Sequence, residues 1–202
     1  MSKALTLVEI PPLVLRLAPV IAMSDQQFFE LCQLNHDLRI ERTSQGELVI
    51  MPPTGGETGR ANFELTVLFG QWVHADASGV GFDSSTGFTL PNGAKRSPDL
   101  AWVKRSRWEA LTQQQREQFP PLCPDFVLEL RSPSDALATV QAKMREYLDN
   151  GAQLGWLIDP IERKVYVYRP QAPVECLDNP QTVSDAPLLS GFVLELGNIW
   201  NS

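Results

Sequence analysis

Hydrophobic residues recur at helical intervals in three of the four segments that are predicted to be helical. Ser24 opens a capping-box spacing, and apolar residues then follow every three or four positions, which predicts a first short helix. The same period after Thr54, again with a capping-box spacing, predicts the long helix of the domain, running to about Ala77. Two further stretches predict a peripheral helix over about 108–118 and a helix over 132–150.

Between these helices, short segments show the alternation or the brief apolar runs that are typical of β-strands. The predicted strands are 38–41, 47–51, 80–82, 87–90, 99–103, 126–131, 154–158, 165–168 and 193–196. The first two flank Ser44-Gln45-Gly46 and predict a β-hairpin, and 80–82 and 87–90 are two strands or one bulged strand. Helices and strands in this order predict an α/β or α+β sheet domain.

The length and composition favour one folded domain. The chain has 202 residues and a mass of 22.5 kDa, with 43% hydrophobic and 20% charged residues, as in ordinary globular proteins. We expect residues 24–202 to form a single domain and residues 1–23 an ordered N-terminal arm, a candidate contact surface in an oligomer. No run of about 18 apolar residues is present, so we expect no transmembrane helix.

The charge and the cysteines narrow the function classes. A net charge of −7 and a pI near 4.9 argue against coating of nucleic acid or membrane by bulk electrostatics, so a nucleic-acid enzyme would need a local basic site. Three widely spaced cysteines give no disulfide framework, which fits a reducing cytoplasm. Two histidines outside any zinc-binding motif give little support to a zinc site or a Ser-His-Asp triad.

Two carboxylates could converge at the sheet. Asp99 opens one predicted strand and Glu129 lies within a later one, and such oxygen ligands suit Mg²⁺, which can activate a water for phosphodiester hydrolysis. Burying Glu129 among apolar neighbours costs several kcal/mol unless a cation or a partner compensates. Solvated or salt-bridged carboxylates are the alternative, with Arg131 as the partner on the same face.

Two other charged residues lie beside apolar helix faces. Lys143 is on the flank of the apolar stripe of the 132–150 helix, where a lysine commonly extends its ammonium to solvent. Glu64 lies at the edge of the apolar face of the long helix. The pattern alone assigns neither residue to a site.

Four blocks of sequence occur in a fixed order along most of the chain: SPDLAWV (97–103), DFVLELRSPSD (125–135), KMREY (143–147) and GWLIDP (155–160). Together they resemble the bacterial family of putative restriction endonucleases, within the PD-(D/E)xK phosphodiesterase superfamily. The resemblance implies the restriction-endonuclease-like fold, a mixed central sheet flanked by helices, here with an N-terminal helix and a β-hairpin.

The resemblance also implies roles for particular residues. Asp99 matches the PD aspartate and Glu129 the (D/E) acid, both metal ligands, and Glu64 resembles the first-helix acid that completes the metal site. Arg131 stands where the superfamily has its lysine, which is a departure because an arginine cannot accept a proton. In this family the lysine is thought to have moved to the following helix, where Lys143 takes its role of orienting water and stabilising charge.

The implied activity is a Mg²⁺-dependent DNA endonuclease, with Mn²⁺ able to substitute, acting as a homodimer because double-strand cleavage needs two sites. Lys143, with Arg131 in support, would counter charge in the transition state. Lys95 and Arg96 would contact neighbouring phosphates, unless they are solvated loop cations. The alternatives are an inactive nuclease-fold protein serving as a nucleic-acid-binding or accessory subunit, and an enzyme for RNA or another phosphate ester. A distance between Lys143 and the carboxylates beyond one bridging water would favour the accessory subunit.

Overall fold

The computed structural model describes residues 12–200, so residues 1–11 of the predicted 1–23 arm lie outside the described residues. Its helices are α1 (Asp25–Leu34), α2 (Gly56–Asp76), α3 (Arg105–Glu109), α4 (Gln113–Glu117), α5 (Leu137–Asp149) and α6 (Gly197–Trp200). Its strands are β1 (Leu13–Leu15), β2 (Arg39–Arg42), β3 (Leu48–Met51), β4 (Gly79–Asp83), β5 (Phe88–Thr89), β6 (Lys95–Arg96), β7 (Leu100–Lys104), β8 (Phe126–Leu130), β9 (Leu154–Asp159), β10 (Lys164–Tyr168), β11 (Glu175–Asp178), β12 (Thr182–Ser184) and β13 (Val193–Glu195).

The centre of the molecule is a six-stranded mixed sheet. Its strand order is β11-β10-β9-β8-β7-β4, in which β8 and β9 are parallel and every other neighbouring pair is antiparallel. The segment between β8 and β9 contains α5, as expected for a crossover between parallel strands. The predicted mixed central sheet flanked by helices is confirmed.

The two faces of this sheet are covered by different helices. Because side chains alternate along a strand, Phe126 and Leu128 of β8 pack in the same cluster as Leu65 of α2. Val127 lies on the other face, in the cluster that contains Met144 of α5. The same alternation places Glu129, two residues after Val127, on the α5 face.

A second, five-stranded antiparallel sheet has the order β1-β3-β2-β6-β5. The predicted hairpin is confirmed as β2 and β3, and residues 13–15 of the predicted arm form β1, which pairs with β3. The segments at 80–82 and 87–90 are not one bulged strand, because β4 and β5 belong to different sheets.

The observed helix starts show which capping signals in the sequence predicted the first residue of a helix correctly. Ser24 caps α1 with both hydrogen bonds of the predicted capping box. The N-cap of α2 is Gly55 and not Thr54. The last predicted helix begins only at Leu137, because the Asp135 carboxylate accepts hydrogen bonds from the backbone and hydroxyl of Ser132 and closes a turn. The peripheral helix is divided into α3 and α4.

Within residues 12–200, no helix combines the length and the apolar character needed to cross a membrane.

The first residue of β4, the edge strand of the central sheet, lies so close to a side chain of the neighbouring strand β7 that it has to be glycine. A Cβ at Gly79 would overlap the indole ring of Trp102, which is buried at 2% exposure. We expect Gly79→Ala to lower the free energy of unfolding by about 1–3 kcal/mol, the usual cost of overpacking a core. Urea unfolding measures the change.

Gly70, in the middle of α2, is the matched control, because a Cβ there would meet no atom within 4 Å. We expect Gly70→Ala to raise the free energy of unfolding by about 0.5–1 kcal/mol, the gain in helix propensity. A change of the same sign in both variants would contradict the packing of β4 against Trp102.

Candidate active site

A cavity of about 580 Å³ lies where hairpin β2–β3 faces α5 and the ends of β7 and β8. Charged side chains from several elements converge on it, although few of them are close in the sequence. These side chains include Arg39, Glu41, Arg96, Asp99, Glu129 and Lys143. The cavity is therefore built by the meeting of the two sheets and α5, and not by one loop.

Asp99 and Glu129 meet at the wall of this cavity. Leu100 of β7 pairs with Leu128 of β8, so the next position along the antiparallel register sets Asp99 opposite Glu129. The Asp99 Oδ2 atom accepts a hydrogen bond of 2.9 Å from the backbone amide of Leu130, which fixes the carboxylate against β8. Both acids are buried. The convergence expected from the sequence is present.

Lys143 is in direct contact with Glu129. Its Nζ atom lies 2.8 Å from Glu129 Oε1 and 2.9 Å from Glu41 Oε1. Tyr147, one turn later on α5, donates a hydrogen bond of 3.0 Å to the same Oε1 atom. The separation that would have favoured an accessory subunit is absent.

Glu41 is a buried member of the cluster that the sequence analysis did not select. Its carboxylate accepts a hydrogen bond of 2.9 Å from the Ser97 amide and forms an ion pair of 3.0 Å with Arg96. Burial alone would raise the pKa of Glu41, but the charges of Lys143 and Arg96 lower it to about 2.

A signal for Glu41 was present in the alternation of β2. Arg39 and Glu41 occupy one face of this strand and Ile40 and Arg42 the other, so neither face is apolar. The pairing strand β3 consists entirely of apolar residues. A charged strand that pairs with an apolar one and is itself partly buried requires counter-charges, and such a strand is a candidate for a site.

Arg39 was also missed. Its Nη2 atom donates a hydrogen bond of 2.7 Å to the carbonyl of Ser97, and its guanidinium lies 3.4 Å from Asp99 Oδ1. The side chain is 31% exposed and lines the cavity.

The acids and Lys143 alter one another's protonation. Burial raises the pKa of Glu129 to about 7. The positive charge of Lys143 lowers this pKa, but the negative charges of Asp99 and Glu41 raise it. Burial lowers the pKa of Lys143, yet Glu129 and Glu41 outweigh this effect and raise it above the ordinary value. Lys143 therefore keeps its proton at neutral pH.

The expectation that Glu64 completes the metal site is corrected by its position. The Glu64 carboxylate accepts a hydrogen bond of 3.1 Å from the Asn198 side chain of α6. The cavity is lined instead by Thr58 and Asn62 of α2. Residues two apart on a helix project about 200° from each other, so Asn62 and Glu64 face different surroundings.

Arg131 does not support the site either. Strand β8 ends at Leu130, and Arg131 Nη1 then forms an ion pair of 2.8 Å with Asp159 Oδ2. Its side chain lies outside the cavity lining. The interpretation of Arg131 as the partner of Glu129 is likewise wrong.

Lys95 and Arg96 lie on opposite sides of β6, as neighbours on a strand do. Lys95 is 2% exposed and its Nζ is 2.9 Å from Asp25, on the α1 side. Arg96 lines the cavity, but Glu41 and Glu146 hold its guanidinium at 3.0 Å and 2.6 Å. The predicted phosphate contact of Lys95 is therefore corrected, and Arg96 is committed to two carboxylates.

The pair Asp99 and Glu129 fits a divalent cation. Within the described part of the chain no three His, Cys, Asp or Glu side chains form a metal-binding group, so any cation would rely on two carboxylates. Mg²⁺ is commonly bound in this way and retains several waters. Both protein contacts of the Glu129 carboxylate fall on Oε1, and the Arg39 contacts of Asp99 Oδ1 are long, so oxygen atoms remain for a cation.

Comparison with known proteins agrees with the geometry. No curated protein is significantly similar to the chain. A crystal structure of a putative nuclease belonging to DUF820 from Anabaena variabilis shares the fold, with a TM-score of 0.71, 22% sequence identity, and coverage of 89% of this chain and 98% of that one. The model of the Uma2 family, described as putative restriction endonuclease, matches residues 25–197. The chain therefore belongs to the Uma2 family of putative restriction endonucleases.

Proposed function

We propose that the protein is a Mg²⁺-dependent DNA endonuclease that hydrolyses phosphodiester bonds, with Mn²⁺ able to replace Mg²⁺. The observation that carries the proposal is the position of Glu129. This buried acid lies opposite Asp99 in the strand register and contacts the Lys143 ammonium at 2.8 Å, within one cavity. Family membership supports a nuclease, and the acids support a metal-assisted reaction.

Asp99 and Glu129 are the residues that would hold the cation. When bound, Mg²⁺ would polarise the phosphate and lower the pKa of an attacking water. The Leu130 amide and the Tyr147 hydroxyl orient the two carboxylates in advance, because each donates a hydrogen bond to one of them. Such orientation reduces the reorganisation needed at the moment of reaction.

Lys143 would stabilise negative charge on the phosphate as the water attacks. Its raised pKa keeps the ammonium charged, so it acts as a cation and hydrogen-bond donor and not as a proton acceptor. Glu41 is a positioning residue in this mechanism, because its carboxylate also contacts the ammonium, at 2.9 Å.

The proposal extends to the assembly and the compartment. Double-strand cleavage requires two sites, so the active form is a homodimer. Cys32, Cys123 and Cys176 are all free thiols, which fits the reducing cytoplasm. The domain comprises residues 24–202, with the preceding residues as an arm that contributes β1.

An inactive nucleic-acid-binding or accessory subunit is the second candidate. The observation that favours it is the pairing of Lys143 with two carboxylates, an arrangement that balances the buried charges without a cation. Such a protein would bind DNA without cleaving it.

Cleavage of plasmid and branched DNA tests the site. We expect Glu129→Gln and Lys143→Met each to lower the cleavage rate by about 100-fold or more, since one removes a cation ligand and the other removes charge stabilisation. Chelation with EDTA should abolish cleavage, and added Mg²⁺ or Mn²⁺ should restore it. Gel electrophoresis of nicked and linear products gives the rates.

Glu64→Gln is the matched control, because it makes the same kind of change at an acid outside the cavity. It should cleave at close to the wild-type rate. Equal rates for wild type, Glu129→Gln and Lys143→Met would refute the site, and a strong loss in Glu64→Gln alone would restore the first-helix ligand.

The charge of Glu41 should stabilise the fold in a pH-dependent way. The drop in its pKa from 4.5 to about 2 corresponds to about 3 kcal/mol. Because the folded state favours the carboxylate, this stability is present above about pH 4.5 and is lost as the pH falls towards 2. Urea unfolding should therefore show Glu41→Gln less stable than wild type near pH 7, with the difference shrinking in acid.

Glu146→Gln provides the comparison, since Glu146 contacts the same Arg96 but is more exposed. Its effect should be smaller, because solvent screens a partly exposed pair. A constant difference between wild type and Glu41→Gln from neutral to acidic pH would contradict the buried carboxylate.

A further inference from the structure

Arg39 is the cavity cation with the weakest contacts to protein carboxylates. Lys143 lies 2.8 Å and 2.9 Å from its two acids, and Arg96 lies 3.0 Å and 2.6 Å from its own. The Arg39 guanidinium is 3.4 Å from Asp99 Oδ1. Strong hydrogen bonds between charged groups are usually about 2.7–2.9 Å long, so the pair of Arg39 with Asp99 is loose.

Arg39 also retains an unused donor. Its Nε–H group is buried and has no hydrogen-bond partner among residues 12–200. The side chain as a whole is 31% exposed, compared with 13% for Arg96 and 15% for Lys143. The Ser97 carbonyl fixes one end of the guanidinium at 2.7 Å, so the group is held in place while part of its donor set stays unpaired.

A cation bound by Asp99 would change the balance of charge around the Arg39 guanidinium. The negative charges of Asp99, Glu129 and Glu41 are the counter-charges of this guanidinium. A divalent ion on Asp99 and Glu129 would neutralise two of these three carboxylates. Arg39 would then need another anion, and arginine binds phosphate well because its planar fork of donors matches the phosphate oxygens.

We infer that Arg39 binds a phosphate group of the nucleic-acid substrate next to the cation. This inference rests on the proposed function, and it assigns to Arg39 the phosphate contact that the sequence had suggested for Lys95 and Arg96. Lys95 faces α1 and Arg96 is held by two acids, so neither is free for it.

Two opposite effects follow from removal of the Arg39 charge. Substrate binding weakens, because a phosphate loses its charged donor. Cation binding strengthens, because a positive charge beside Asp99 no longer repels the ion. A residue that only maintained the fold would not weaken one ligand and strengthen the other.

The experiment compares Arg39→Gln and Arg39→Lys with Arg60→Gln. Arg60 is on α2, where it contacts Glu57 and the Asn198 carbonyl, so Arg60→Gln removes the same charge outside the cavity. Fluorescence anisotropy with a labelled phosphorothioate DNA duplex, which resists hydrolysis, gives the DNA affinity in Mn²⁺. Plasmid cleavage gives KM and kcat, and calorimetry without DNA gives the Mn²⁺ affinity.

We expect Arg39→Gln to raise the DNA Kd and the KM by about tenfold or more and to change kcat much less. Its Mn²⁺ Kd should fall severalfold. Arg39→Lys should be intermediate in DNA affinity, since it keeps the charge without the planar fork. Arg60→Gln should match the wild type in all three measurements. If Arg39→Gln does not fold by circular dichroism, Arg39→Lys carries the test.

Equal DNA affinities for the Arg39 variant and Arg60→Gln would overturn the inference, whether or not the wild type cleaves DNA. A fall in both DNA and Mn²⁺ affinity would also overturn it, since that result marks a structural role. Absence of cleavage by the wild type, with DNA binding that still depends on Arg39, would instead refute the proposed endonuclease and leave the phosphate contact standing.

Discussion

Burial of the Glu129 carboxylate is the constraint on which the rest of the site depends. An ionised carboxylate in the interior costs several kcal/mol unless charged or hydrogen-bonding partners surround it. Here the partners are the Lys143 ammonium and the Tyr147 hydroxyl, both from the helix that crosses between β8 and β9. The helix face that covers the sheet is therefore also the face that supplies the counter-charge, and the core and the site are one structure.

The compensation of buried charge continues beyond the ion pair of Glu129 with Lys143. Positive and negative side chains alternate in the series Glu129, Lys143, Glu41, Arg96 and Glu146, each within about 3 Å of the next. This series joins β8, α5, β2 and β6, so it connects the central sheet to the five-stranded sheet. The three acids and two bases of the series leave a net charge of −1, so most of the net charge of −7 lies elsewhere in the chain.

The sequence predicted the parts of this arrangement that depend on neighbouring elements. The strand order and the alternation of side chains were enough to predict that Asp99 and Glu129 converge, whereas Lys143 was assigned to the site only through the family resemblance. Arg39 and Glu41 come from the other sheet, whose packing against α5 no local pattern reports. To predict where Glu64 points, one has to know the rotational orientation of α2 about its axis. An apolar stripe defines that orientation only to within a residue or two. All of these residues lie within 12–200, the part of the chain that the structure describes.

The burial of this charge series has a consequence for its response to salt. Dissolved ions screen exposed charges across about 10 Å at moderate ionic strength, but they reach buried pairs poorly. Concentrated salt should therefore weaken long-range attraction between the protein and a polyanion, while Glu129, Lys143 and Glu41 keep their geometry. Ionic strength therefore affects how readily a polyanion reaches the cavity, and it leaves the arrangement of the buried charges within the cavity unchanged.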